Sequence, residues 1–199
     1  MNKVHVTKHK GKLAGILSVN VSTNGNGFCT AMRKCEGSVC ASCYAGRIET
    51  LRTRLGRALL RNSELLSSRC LDYKELPWFE PETSVRFDSF GELINLNHLS
   101  NIYAICKKNP EVHFALWTKR ADMVIGFGLQ HVPKNLVLIY SEPMLDCQNP
   151  RIVEGFDYTY VVHGKDSGIP PCGEACIDCL KCYRHRPEGT DRIIHQLIH

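Results

Sequence analysis

The stretch Val112-His113-Phe114-Ala115-Leu116-Trp117-Thr118-Lys119-Arg120 decides the fold. Val112 to Trp117 is a nearly unbroken apolar run, as expected of a strand in a sheet whose face is covered by helices. It stops at Thr118, Lys119 and Arg120, and a further helix follows.

The same pattern recurs on either side. Ser84 to Phe87 reads as a strand after Pro77 and Pro81, and it ends in Asp88-Ser89-Phe90-Gly91-Glu92. Leu136 to Tyr140 ends in Ser141-Glu142, and Tyr158 to Val162 ends in His163. Earlier, a strand over Gly15 to Val21 enters a turn-rich stretch, Ser22 to Gly27. A helix from about Asn97 to Lys108 stops at Asn109-Pro110, where proline makes continuation costly. A long helix is expected over Tyr44 to Ser68, with Ile48, Leu51, Leu55, Leu59, Asn62 and Leu66 on one face. The expectation is a single α/β domain over residues 1–199, with about five strands in a parallel sheet, open or rolled into a partial or small (βα) barrel. Parallel strands end on one side, so Glu92, Lys119 and Ser141 should face one cavity there. Helix capping is the other account of each polar residue.

Composition narrows the function classes. At 199 residues and 43% hydrophobic, the chain can bury one good core. Its 25 basic and 20 acidic residues leave a formal charge of +5, which permits an anionic ligand without calling for nucleic acid. No apolar run is long enough to span a membrane, and the start has no apolar signal region, so a cytoplasmic protein is expected.

Eleven cysteines in such a chain point to metal or redox chemistry rather than disulfides. Cys70, Cys106 and Cys147 stand alone and read as small apolar residues. The other eight form two groups. The first, Cys29-x5-Cys35-x4-Cys40-x2-Cys43, occupies the loop over residues 29–43. The second, Cys172-x3-Cys176-x2-Cys179-x2-Cys182, lies in a cysteine-rich C-terminal segment over 172–183. Thiolates this close can converge on one centre without long-range folding. The dense second group favours an iron–sulfur cluster. Pairs such as Cys40/Cys43 with Cys176/Cys179 keep tetrahedral zinc as the alternative.

Cys40-Ala41-Ser42-Cys43-Tyr44-Ala45, Arg86-Phe87-Asp88-Ser89-Phe90-Gly91-Glu92-Leu93, Phe114 to Arg120 and Cys176 to Tyr183 together resemble phage-encoded proteins of the gene-product-eighty-eight type. That likeness implies residence in the host cell cytoplasm. More distantly, a cysteine loop after the first strand and a Gly-Glu after the second resemble radical S-adenosylmethionine enzymes. This second resemblance implies a [4Fe–4S] cluster on Cys35, Cys40 and Cys43, with S-adenosylmethionine on its open iron. Gly91 and Glu92 would then meet the methionyl amino group, and Lys119 or Arg120 a carboxylate or phosphate. It implies an enzyme acting on a nucleotide or nucleic acid. The alternative is a non-catalytic metal protein that binds nucleic acid or a host protein.

Arg47, Arg54 and Arg61 recur every seven residues, with Arg57 beside them. They read either as a solvated helix face or as a phosphate-contacting one. Catalytic residues and oligomeric state are not legible.

Overall fold

The computed structural model describes residues 3–173 and 175–198. One sheet carries seven strands in chain order: β1 (Val6–Lys8), β2 (Leu17–Val19), β3 (Ser84–Phe87), β4 (His113–Thr118), β5 (Leu136–Ser141), β6 (Tyr158–His163) and β7 (Ile193–Leu197). β1 runs antiparallel to β2, and every later pairing is parallel. The α/β reading is borne out, with two strands more than expected. Both additions are edge strands without a continuous apolar run: β1 is Val-Thr-Lys, and β7 sets His195 and Gln196 between Ile194 and Leu197.

Among the described residues six α-helices accompany the sheet: α1 (Gly27–Arg33), α2 (Tyr44–Leu51), α3 (Thr53–Ser68), α4 (Leu96–Lys108), α5 (Ala121–Phe127) and the single turn α6 (Cys176–Cys179). Side chains alternate across a strand, so each strand serves two layers. Val85 and Phe87 of β3, Phe114 and Leu116 of β4, and Leu136 and Leu138 of β5 pack with Leu66 of α3, Ile102 of α4 and Val124 of α5 in the main core. The alternate residues Ala115, Trp117, Val137, Ile139 and Tyr158 pack on the other face. There they meet Ile16, Tyr183 and Ile194, with Cys172, Cys176 and Cys182 at the margin. The C-terminal cysteine segment thus covers the face that the main helices leave open.

The long helix expected over Tyr44 to Ser68 is two helices. Arg52 leaves helical geometry at φ −107° and ψ 76° between α2 and α3. The cause is tertiary. Glu49 is buried, and its carboxylate accepts bonds from the Ser22 hydroxyl, from Thr23 N at 2.8 Å and from Asn24 N at 3.2 Å. Gly56 meets α2 so closely that a Cβ there would stand 2.9 Å from the Glu49 carbonyl oxygen. The break turns Leu51 out to 72% exposure, removing it from the expected apolar face. It also ends the unbroken seven-residue arginine stripe.

Candidate functional site

The carboxyl ends of β3 to β6 open on a cavity of about 590 Å³. Arg86 and Asp88 from the β3 end, Trp117 and Lys119 from the β4 end, Ser141 from β5, and Tyr160 and Val162 from β6 all line it. Gly91, Glu92, Lys119 and Ser141 therefore share one cavity wall with Cys40 and Cys43. Lys119 Nζ donates to Ser141 Oγ at 3.1 Å.

Gly91 is required by its backbone. It sits at φ +83°, and a Cβ there would lie 2.5 Å from Val21 Cγ2 and 2.7 Å from Val21 O. Neither the conformation nor the space admits a side chain.

Glu92 is held by its own chain. Its buried carboxylate accepts from Thr118 Oγ1 at 2.6 Å and Leu93 N at 2.8 Å on one oxygen, and from Lys119 N at 2.8 Å on the other. Three donors from its own chain hold it, so it ties the β3 end to the β4 end. Its carbonyl accepts from Asn26 Nδ2 at 2.7 Å, which fixes the start of α1 as well.

The first cysteine group is not one loop. Cys29 lies inside α1, with Asn26 capping the helix by accepting from Cys29 N at 3.2 Å. Cys29, Cys40 and Cys43 line the cavity, whereas Cys35 is exposed and is not among the residues lining it. Spacing favours Cys35, which is nearer in sequence. The first turns of α1 carry Cys29 inward instead. Burial pushes the Cys29 thiol well up, with Glu92 and Cys40 adding to the effect and Lys119 opposing it. Cys40 is raised by burial too, again against Lys119.

The second group approaches the cavity from the other side. Cys172, Cys176 and Cys182 line it, and all four thiols of the group line an adjoining void of about 30 Å³ with Arg86, Trp117 and Tyr183. Burial pushes Cys182 up to about 12, and the Arg86 guanidinium opposes this. Arg86 stacks on the Trp117 ring at 3.8 Å. Among the described residues, no three His, Cys, Asp or Glu side chains converge on a single-ion position.

Of the lone cysteines, Cys106 is fully buried as expected, while Cys70 is exposed because it follows the end of α3. Arg47 is exposed on α2, and Arg54, Arg57 and Arg61 are exposed on α3. No helix is long and apolar enough to cross a membrane among the described residues.

The model of the family described as Gene product 88 matches residues 2–185. A stretch of 138 residues is 25% identical to cadherin-like protein 26 of Mus musculus, covering 65% of this chain and 15% of that protein. The chain thus spans a small fraction of that relative's length, and the likeness says nothing about activity. No solved structure matches. The family match covers nearly the whole chain, and the chain belongs to the Gene product 88 family.

Proposed function

We propose that this member of the Gene product 88 family is an iron–sulfur protein of radical-S-adenosylmethionine-like architecture, with a small cofactor held beside the cluster in the strand-end cavity. The observation that carries the reading is the meeting of both cysteine groups, distant in sequence, on that one cavity. Sequential parallel strands from β2 to β7 support a partial barrel that opens at this end.

The donor set fits such a group. Soft thiols suit iron–sulfur chemistry, and thiols spread along a wall suit a multi-atom cluster better than a single ion. Cys29, Cys40 and Cys43 would hold it on one side, with Cys35 as the nearby reserve. Lys119 would offset the thiolate charge there, as Arg86 would on the other side. A bound cluster supplies one-electron reduction. The chain's own residues position it, exclude water with Phe28, Tyr44 and Ile48, and set the local charge. S-adenosylmethionine is the cofactor we expect beside it, with Lys119 and Ser141 offering a cation and a hydroxyl.

A second reading rests on the small void that Cys172, Cys176, Cys179 and Cys182 share. Four cysteines on one void supply the donor type of structural zinc, which would have to draw their sulfurs together, since no three of them converge on a single-ion position as they stand. Anaerobic purification with iron, sulfide and zinc analysis separates the readings. Iron and sulfide in equal amounts, with visible absorption, support the cluster. Colourless protein with stoichiometric zinc rejects it, and S-adenosylmethionine that fails to bind iron-loaded protein rejects the cofactor.

A further inference from the structure

Four carboxylates are buried among the described residues: Glu49, Asp88, Glu92 and Glu142. Three are satisfied by nearby donors. Glu49 and Glu92 have the bonds given above, and Glu142 accepts from Met144 N and Arg151 N, each at 3.3 Å. Asp88 is the exception. Its side chain is 1% exposed, and neither oxygen has a hydrogen-bond partner. A buried carboxylate with no donor is costly, and its persistence in a cavity wall asks for an explanation. The backbone asks the same question, because Asp88 sits at φ +54°, a conformation uncommon outside glycine and found often at functional sites.

Among the described residues no cation is paired with it: burial and then the Glu92 carboxylate push the Asp88 carboxyl well up, and Arg86 opposes them only in part. His98 Nε2 stands 3.9 Å from Asp88 Oδ1, too far for a hydrogen bond. Burial pushes His98 down to about 3, so the ring stays neutral. Its Nδ1 accepts from Ile94 N at 3.3 Å, which leaves the Nε2 proton towards Asp88 and gives His98 an orienting role. Arg86, two residues away, stacks on Trp117 and faces the second thiol group. The cavity beyond is walled by apolar groups that include Phe28, Val39, Ile48 and Val162.

We propose that Asp88 is the recognition carboxylate of this cavity, and that its ligand is a primary amine with an apolar body, whose ammonium group seats on the Asp88 oxygens. The inference rests on reading the cavity as a ligand site, but not on the metal. A charge-assisted bond to a buried carboxylate is worth enough to give at least about tenfold discrimination over a neutral isostere.

The test titrates the full chain, as purified, with phenethylamine and with 2-phenylethanol, by calorimetry and thermal shift. We expect the amine to bind at least about tenfold tighter than the alcohol. Asp88→Asn, nearly isosteric and neutral, should erase that difference by weakening the amine at least about tenfold. Equal affinities in the unsubstituted protein, no saturable binding of either probe, or an amine preference that survives Asp88→Asn overturns the proposal. The comparison in the unsubstituted protein decides it even if the variant fails to fold. Iron, sulfide and zinc are measured on the same samples. Metal without amine preference overturns this inference alone. Amine preference on protein that never takes up metal overturns the metal centre alone.

Discussion

The two cysteine regions reach one cavity by opposite means. The first is held by the scaffold. Asn26 caps α1, Arg33 donates to Asn24 Oδ1 at 2.8 Å and to Thr23 O at 2.9 Å, and Ser38 Oγ donates to Met32 O at 2.8 Å. Val39 N donates to Pro143 O and Leu145 N to Gly37 O, both at 2.9 Å, which stitches the loop to the segment after β5. The second region has one α-helical turn and one 3-10 turn about a Leu180 held at φ +50°, and it meets the sheet by packing, as Tyr183 does on Trp117, with few hydrogen bonds. Cys172 N donates to His195 O at 2.9 Å, Lys12 reaches the Cys172 carbonyl, and Ile177 packs beside Gly15. Order in the first region is built from hydrogen bonds laid down by the fold. Under the proposed function, order in the second would depend far more on what its thiols hold.

The largest expected effect breaks that comparison outright. In thiolate sites, binding free energy is folding free energy, about 10 kcal/mol for structural zinc. Chelation, or Cys182→Ala, should therefore open the chain to trypsin at Lys181 and Arg184 within the second region. The same treatment should leave Arg33 and Lys34 of the first region as resistant as before. Equal cleavage of both regions, or of neither, shows that the metal supports them alike.

Next come two substitutions in the frame of the first region. Gly91→Ala adds a Cβ against Val21 and forces a side chain to φ +83°, so a loss of about 3 kcal/mol or more is expected. Glu92→Gln keeps the shape but cannot accept from both Lys119 N and the Thr118–Leu93 pair of donors. About 2 kcal/mol is expected there. Urea unfolding measures both, and each should lower the midpoint whether or not metal is present. If the loss appears only after metal is added, the first region is not scaffold-held.

The sheet was largely legible because β3 to β6 carry continuous apolar runs that end in polar residues. The register of these four lay beyond the sequence. The edge strands were not legible, since β1 is three residues long and β7 mixes His195 and Gln196 into its run. No proline or glycine marks Arg52, because the break there follows from where Glu49 is buried. Glu92, Lys119 and Ser141 line one cavity, as their places after strands suggest, yet the Glu92 bonds depend on Thr118, a partner that only the fold brings near. Cys29 and Asp88 both stood in the sequence reading without an assigned role, for related reasons. Cys29 stands outside the short cysteine spacings, and an unpartnered carboxylate cannot be recognised until its neighbours are known.

The smallest expected effect sharpens the comparison by testing a tie in the second region that needs no metal. Just past the last cysteine, His185 places Nδ1 3.0 Å from Asp157 Oδ1 and Nε2 2.7 Å from Lys134 O. Both ring nitrogens face acceptors, so the imidazolium form is favoured. The bond to Asp157 raises the His185 pKa, against partial burial. Burial pushes Asp157 up, but the bonds from His185, Leu138 N and Arg186 N more than offset it and leave it below its usual value. Asp157 therefore contributes stability above its unfolded value of 3.8, lost as pH falls through its lower folded one. His185 contributes below its unfolded value of 6.5, lost as pH rises through its higher folded one. The tie is strongest between those two unfolded values. With His185 half exposed, it is worth under about 1 kcal/mol. Hydrogen exchange at the Leu138 and Arg186 amides should quicken, relative to intrinsic rates, as pH rises above 7. His185→Gln should flatten that profile without changing metal content. A variant whose amides still respond to pH as before would remove this tie, leaving the second region to its thiols and the few contacts around Cys172.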